Sequence, residues 1–129
     1  MSSEANGKAM LTVTSGLSTN AVVLRLEGEL DVNALPLLRE RLHLVWELAP
    51  KDFLILDLSE VTFCDSMGMN ELVAILQRCE ARKTRLLLGG VQGVMARVLS
   101  ITGLSHAFEV FPTFDDAMRL AVAQPTTGP

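Results

Sequence analysis

Clusters of positive charge are missing from this chain. Its 11 lysines and arginines are outnumbered by 15 acids, for a formal charge of -4 and a pI near 5.1, and nowhere do the basic residues gather into a patch. Affinity for nucleic acid rests largely on Lys and Arg neutralising phosphates, so no direct contact with DNA or RNA is expected. Cysteine is scarce as well: Cys64 and Cys79 stand 15 residues apart with no CxxC. Together with two unclustered histidines, His43 and His106, they match no metal-ligand spacing, and neither a metal nor a cofactor is expected. The chain opens without a cationic segment leading into an apolar one. Its apolar runs, "VVL" and "LLL" among them, fall far short of the roughly 20 residues that cross a bilayer. A cytoplasmic protein with free thiols and no membrane contact is the expectation.

What is present is enough apolar material for a core, 49% of 129 residues, in one domain of ordinary size. Residues 1–8 are small and polar and residues 124–129, "QPTTGP", are rich in Pro, Gly and Thr, so both read as disordered tails around a domain at 9–123. Alternating runs from Leu11 and Ala21 flank "SGLSTN", the pattern of a hairpin. A helix follows, with Asp31 or Asn33 as N-cap, Pro36 in its first turn, and Leu35, Leu38, Leu42, Val45 and Ala49 at helical spacing. Pro50 limits it. "FLILDL" and "RLLLGG" read as strands covered on both faces. Met69, Leu72, Val73, Leu76 and Cys79 predict a helix over 66–82, and Met95, Val98 and Leu99 a shorter one ending at Gly103. A last strand, "AFEVF", precedes a helix whose Thr113 and Asp116 are spaced like a capping box. The order predicts an α/β fold: a mostly parallel mixed sheet of about five strands with an antiparallel N-terminal hairpin and about four helices.

Chemistry concentrates in "TFCDSMGMNEL", residues 62–72, at the end of a strand, where such sheets place their sites. Either Asp65 or Ser66 is expected to cap the helix, but a cap does not require both an acid and a hydroxyl, nor a glycine two residues after Ser66. Gly68 would let another backbone come close. As a nucleophile elbow the stretch fails: "CDSMG" puts Cys64 where GxSxG has glycine, and Asp65 crowds the serine with negative charge. Neither histidine is placed to serve as base, so no catalytic residue is assigned. "GGVQG" at 89–93 lacks the Lys and Ser/Thr of a phosphate-binding loop.

Three segments in order, "LRLEGELD", "ILDLSEVTFCDSMGMNEL" and "LSITGLSHAFEVFPTFDDA", resemble the successive signatures of the STAS domain, specifically the bacterial anti-sigma-factor antagonists. The resemblance covers about residues 10 to 123 and implies that Ser66 is a phosphoacceptor. It further implies that the unmodified protein binds an anti-sigma factor with ATP-dependent serine-kinase activity, freeing a sigma factor. Phosphorylation would dissolve that complex, and a metal-dependent Ser/Thr phosphatase would restore it. Asp31 matches a family position at the partner-binding surface, which the helix entry, Asp65, Met67, Gly68, Met69 and Asn70, is expected to complete. Two departures stand out: Met67 replaces a small Ser, Thr or Ala, and Asn70 stands where glycine is frequent. The competing expectation is a constitutive scaffold or transport-complex subunit in which Ser66 is merely a helix cap.

Overall fold

In the computed structural model, which describes residues 10–48 and 51–123, the apolar run from Phe53 becomes the middle strand of a five-stranded sheet. The strands lie in chain order: β1 (Leu11–Leu17), β2 (Ala21–Leu30), β3 (Phe53–Cys64), β4 (Arg85–Gly89) and β5 (Glu109–Val110). β1 and β2 pair antiparallel and every other pair is parallel. With helices α1 (Leu35–Leu48), α2 (Ser66–Arg82), α3 (Gly93–Thr102) and α4 (Phe114–Ala123), this is the expected mixed α/β fold.

Two cores sandwich the sheet. Leu54, Leu56 and Leu58 of β3 face a large cluster containing Leu38, Leu42 and Trp46 of α1, Met69, Leu72 and Ile75 of α2, and Met95 and Leu99 of α3. Phe53 and Ile55 point the other way, onto a smaller cluster with Leu87, Ala117 and Ala121 under α4. Every residue from Phe53 to Leu58 is therefore buried, which is why the run is continuously apolar but for Asp57. Each fully buried leucine contributes about 1.5–3 kcal/mol. Asp57 accepts both the backbone N–H (3.1 Å) and the hydroxyl (2.6 Å) of Ser59, so that buried carboxylate is satisfied locally.

Several local expectations change in the folded chain. Asp31, not Asn33, is the cap; it accepts the Asn33 N–H at 3.0 Å and starts a 3-10 turn, Val32–Ala34, that leads into α1. Trp46 joins the buried stripe of α1, while Ala49 and Pro50, like the terminal tails, lie outside the described residues. In α2, Ile75 and the charged Glu71 are buried, and Val73 and Leu76 only partly so. β5 is shorter than "AFEVF" because Phe108 turns into the large core and Phe111 packs against the small one, leaving two residues to pair with β4. Thr113 Oγ1 accepts the Asp116 N–H (3.1 Å), but the Asp116 carboxylate turns to Arg119 (2.5 Å), so half of the capping box forms. α3 stops at Gly103, with φ +74, as its sequence predicts.

Candidate functional site

β3 is two residues longer than the stretch of β2 it accompanies, and it absorbs the difference in two bulges. Arg25 pairs with Asp57 but Glu27 with Glu60; Gly28 pairs with Val61 but Glu29 with Phe63. Each bulge inserts one residue and turns the strand. The outcome is that Leu58, Val61 and Cys64, three apart, all reach the large core. Phe63 is left on the surface beside Glu29. Beyond Gly89, β4 no longer accompanies β3, so the ends of β2 and β3 run on as a pair toward the start of α2.

At that end the Leu30 carbonyl accepts the Asp65 N–H (3.3 Å), which sets Asp31 and Asp65 on adjoining chain segments. Gly68 makes the approach possible: a Cβ there would fall 2.3 Å from the Leu30 carbonyl oxygen and 3.1 Å from Cys64 Sγ. The close approach expected of a small residue at this place is thus present, and its partner is β2. Asp65 caps α2, accepting the Gly68 N–H at 2.9 Å. Ser66 is therefore not the cap. It is the first helical residue, exposed, and its hydroxyl makes no hydrogen bond with any described residue. The contrast with Ser59, whose hydroxyl is held by Asp57, is direct.

The remaining expected site residues separate by burial. Asp31 is half-buried at its turn, and Met67 and Asn70 are exposed. Met67 lies 43% exposed and does not fold back over the core. Gly68 and Met69 are buried, Met69 within the large core, so these two shape the surface from below without presenting side chains to it. Two residues at this end were not anticipated. Val32, 52% exposed, follows Asp31, and Phe63, 46% exposed, precedes Cys64; with Met67 they give the acidic mouth an apolar component. The alternating pattern of β3 could not foretell Phe63, because each bulge reverses which residues face inward.

Cys64 adjoins Asp65 but is no nucleophile. Burial, and then the Asp65 charge, push its thiol up to about 11, so it remains protonated at neutral pH. His43 is exposed on α1 and His106 exposed in the 3-10 turn Leu104–His106; neither bonds Ser66. The glycine turn before α3 serves packing: Gly90, at φ +70, lies against Ser59, where a Cβ would come within 2.6 Å of the backbone nitrogen, and the Gln92 amide donates to the Pro112 carbonyl (2.5 Å). Among the described residues no helix is long and apolar enough to cross a membrane.

These features define a small mixed α/β module whose free hydroxyl, acids and exposed apolar side chains meet at the carboxyl ends of β2 and β3. A family model of the STAS domain matches residues 10–117. An anti-sigma-B factor antagonist of Listeria monocytogenes is 30% identical over 92 residues, which span 71% of this chain and 80% of that protein. The crystal structure of an anti-sigma factor antagonist from Mycobacterium paratuberculosis gives a TM-score of 0.73 at 26% identity, covering 87% of this chain and 94% of that one. A sulfate transporter family protein from Wolinella succinogenes shares the fold, with a TM-score of 0.69 at 24% identity over 92% and 93% of the two chains. The chain belongs to the STAS domain family, and its relatives include anti-sigma-factor antagonists.

Proposed function

We propose that this protein antagonises an anti-sigma factor by binding it through the mouth formed by Asp31, Val32, Phe63, Asp65, Ser66 and Met67, and that phosphorylation of Ser66 ends the binding. The observation that carries the reading is the unengaged Ser66 hydroxyl: exposed at the first position of α2, it is left free because Asp65 alone caps the helix. The likeness to the Listeria antagonist supports the choice of partner. In the modification step the γ-phosphoryl group of ATP passes to Ser66 Oγ, ADP leaves with the bridging oxygen, and the hydroxyl proton goes to a base of the kinase. The anti-sigma factor is itself that kinase, and a metal-dependent Ser/Thr phosphatase hydrolyses the ester to reset the system.

Electrostatics make this a switch without a conformational change. A phosphate adds about -1.5 to -2 charges, and the start of α2 tolerates it through the helix dipole and the N–H groups of the first turn. A partner shaped for a neutral hydroxyl next to Asp65 instead meets a hydrated dianion beside that acid and Asp31. Like charges forced together cost several kcal/mol. At about 4 kcal/mol, binding falls nearly a thousandfold.

Ser66→Ala should abolish phosphate uptake and keep partner binding, and Ser66→Asp should weaken binding with an unchanged helical circular-dichroism signal. Phosphate incorporation by Ser66→Ala at the parent rate would assign the acceptor elsewhere. Equal affinity of the bare and phosphorylated forms for the partner would favour a constitutive scaffold.

A further inference from the structure

The outer edge of β1 is a second surface that the Ser66 mouth does not explain. "LTVTSGL" carries neither charge nor proline, the two devices that most often keep an edge strand from pairing with another chain. Its backbone parity is set by two hydrogen bonds. The Met10 carbonyl accepts from Glu29 of β2 (2.9 Å), whereas the Val13 carbonyl accepts from the Arg41 guanidinium (3.2 Å), on the side away from β2. Leu11, Val13, Ser15 and Leu17 therefore point their N–H and C=O groups outward. Among the described residues nothing pairs with those of Ser15 and Leu17. Beside this edge runs an open groove of about 680 Å³, lined by Val13 and Leu17 of β1 and by Glu40, Arg41, Leu44 and Val45 of α1. Leu17 is 64% exposed and Leu44 46%.

We propose that this edge and groove receive a second copy of the chain, β1 pairing antiparallel with its twin about Ser15. Three features favour a twin over another extended segment. A two-fold axis at Ser15 sets Leu17 of one copy opposite Val13 of the other. Since alternate strand residues share a face, each exposed Leu17 then enters the twin's groove against Val13, Leu44 and Val45. The charges in the groove are one acid and one base, Glu40 and Arg41, and a two-fold interface brings each against its opposite on the other copy. Finally, the Val13 carbonyl that Arg41 caps in the single chain is an acceptor the twin's Leu17 N–H can take, which releases the guanidinium toward the twin's Glu40. Arg41 thus guards the edge in the monomer and joins the interface in the dimer.

Ser15 is opposite Leu24, and Asp31 lies seven residues further along, so at about 3.3 Å per residue the dimer axis at Ser15 stands roughly 20 Å from the Ser66 mouth. The proposal is therefore independent of the antagonist reading. Sedimentation equilibrium of the full chain should show a mass that climbs reversibly from 14.0 kDa toward twice that value as concentration rises. Leu44→Glu, at an exposed site, and Ser15→Pro should each weaken self-association at least about tenfold. Glu40→Arg and Arg41→Glu should each weaken it alone, and an equimolar mixture of the two should restore it. Ser66→Asp should leave the dimer unchanged. A chain that stays at 14.0 kDa up to its solubility limit overturns the proposal, even if it captures a foreign extended peptide. So does a dimer indifferent to Leu44→Glu, or a charge-swapped mixture that fails to reassociate.

Discussion

The first turn of α2 and the last residue of β2 touch backbone to backbone: a Cβ on Gly68 would stand 2.3 Å from the Leu30 carbonyl oxygen. That contact fixes Asp65 and Ser66 beside Asp31, and it gives Gly68→Ala an unusual sign. Alanine in a helix gains about 1 kcal/mol over glycine, but overpacking costs about 1–3 kcal/mol, and a backbone oxygen cannot swing aside as a side chain can. A net loss of up to about 2 kcal/mol is expected, seen as a lower urea midpoint at unchanged slope. A stabilised Gly68→Ala protein would mean that β2 and α2 are not in contact.

Glu71 carries a second test. It is buried in α2, where Arg39 of α1 donates Nε (3.1 Å) and Nη2 (2.8 Å) to its Oε1. Its Oε2 has no hydrogen bond and faces Arg78 at 3.6 Å. Removing Arg39 takes both side-chain hydrogen bonds from a buried carboxylate and leaves it only the longer Arg78 contact, whereas removing Glu71 as well leaves no buried charge. Arg39→Ala should lower the melting temperature, Glu71→Leu should leave it level or raise it, and the double variant should recover most of the loss. An Arg39→Ala protein as stable as the parent would show the pair to be idle.

Where the sequence was readable, a period survived into the structure. The helical stripes of α1 to α3, the apolar runs of β3 and β4 and the stop at Gly103 are local patterns, and each predicted its element. The mouth is half visible in the sequence: Asp31, Asp65, Ser66 and Gly68 stand in motifs, so their neighbourhood is legible there. Phe63 and Val32 were not, because two bulges in β3 set the register that exposes Phe63, and a bulge is decided by pairing with β2 rather than by the strand's own alternation. Glu71 was hidden for a related reason. A charged residue in a helix reads as solvated until a cation from another helix is known to reach it.

The two thiols predict how stability varies with alkali. Burial pushes Cys79 up to about 12 and Cys64 up to about 11 from an ordinary 9.0, with the Asp65 charge adding to the shift at Cys64. Between pH 9 and those values the unfolded chain has lost both protons while the folded chain keeps them, so stability is full below pH 9 and falls as pH rises through this window. The chain has no tyrosine to confuse the profile. Replacing both cysteines with alanine should flatten the decline in urea midpoint above pH 9; an equally steep decline would place its cause elsewhere.

Met67 should move two readouts in opposite directions if the antagonist reading holds. Its thioether side chain is 43% exposed and follows directly after Ser66 in the first turn of α2. A docked partner covers Met67 together with Phe63 and Val32, so Met67→Ala removes apolar contact. With roughly half of the side chain left to bury, the loss is about 1 kcal/mol, or about fivefold in affinity. A kinase active site, by contrast, must admit the hydroxyl past that same side chain, and trimming it clears the approach. Met67→Ala should therefore bind the partner more weakly yet accept phosphate faster at saturating kinase, with an unchanged melting temperature because the residue lies outside the core. Phe63→Ala should weaken binding without the gain in rate, since Phe63 belongs to the strand and not to the helix turn that presents Ser66. Parallel losses in both readouts for Met67→Ala would make the methionine a plain docking contact with no part in guarding the serine.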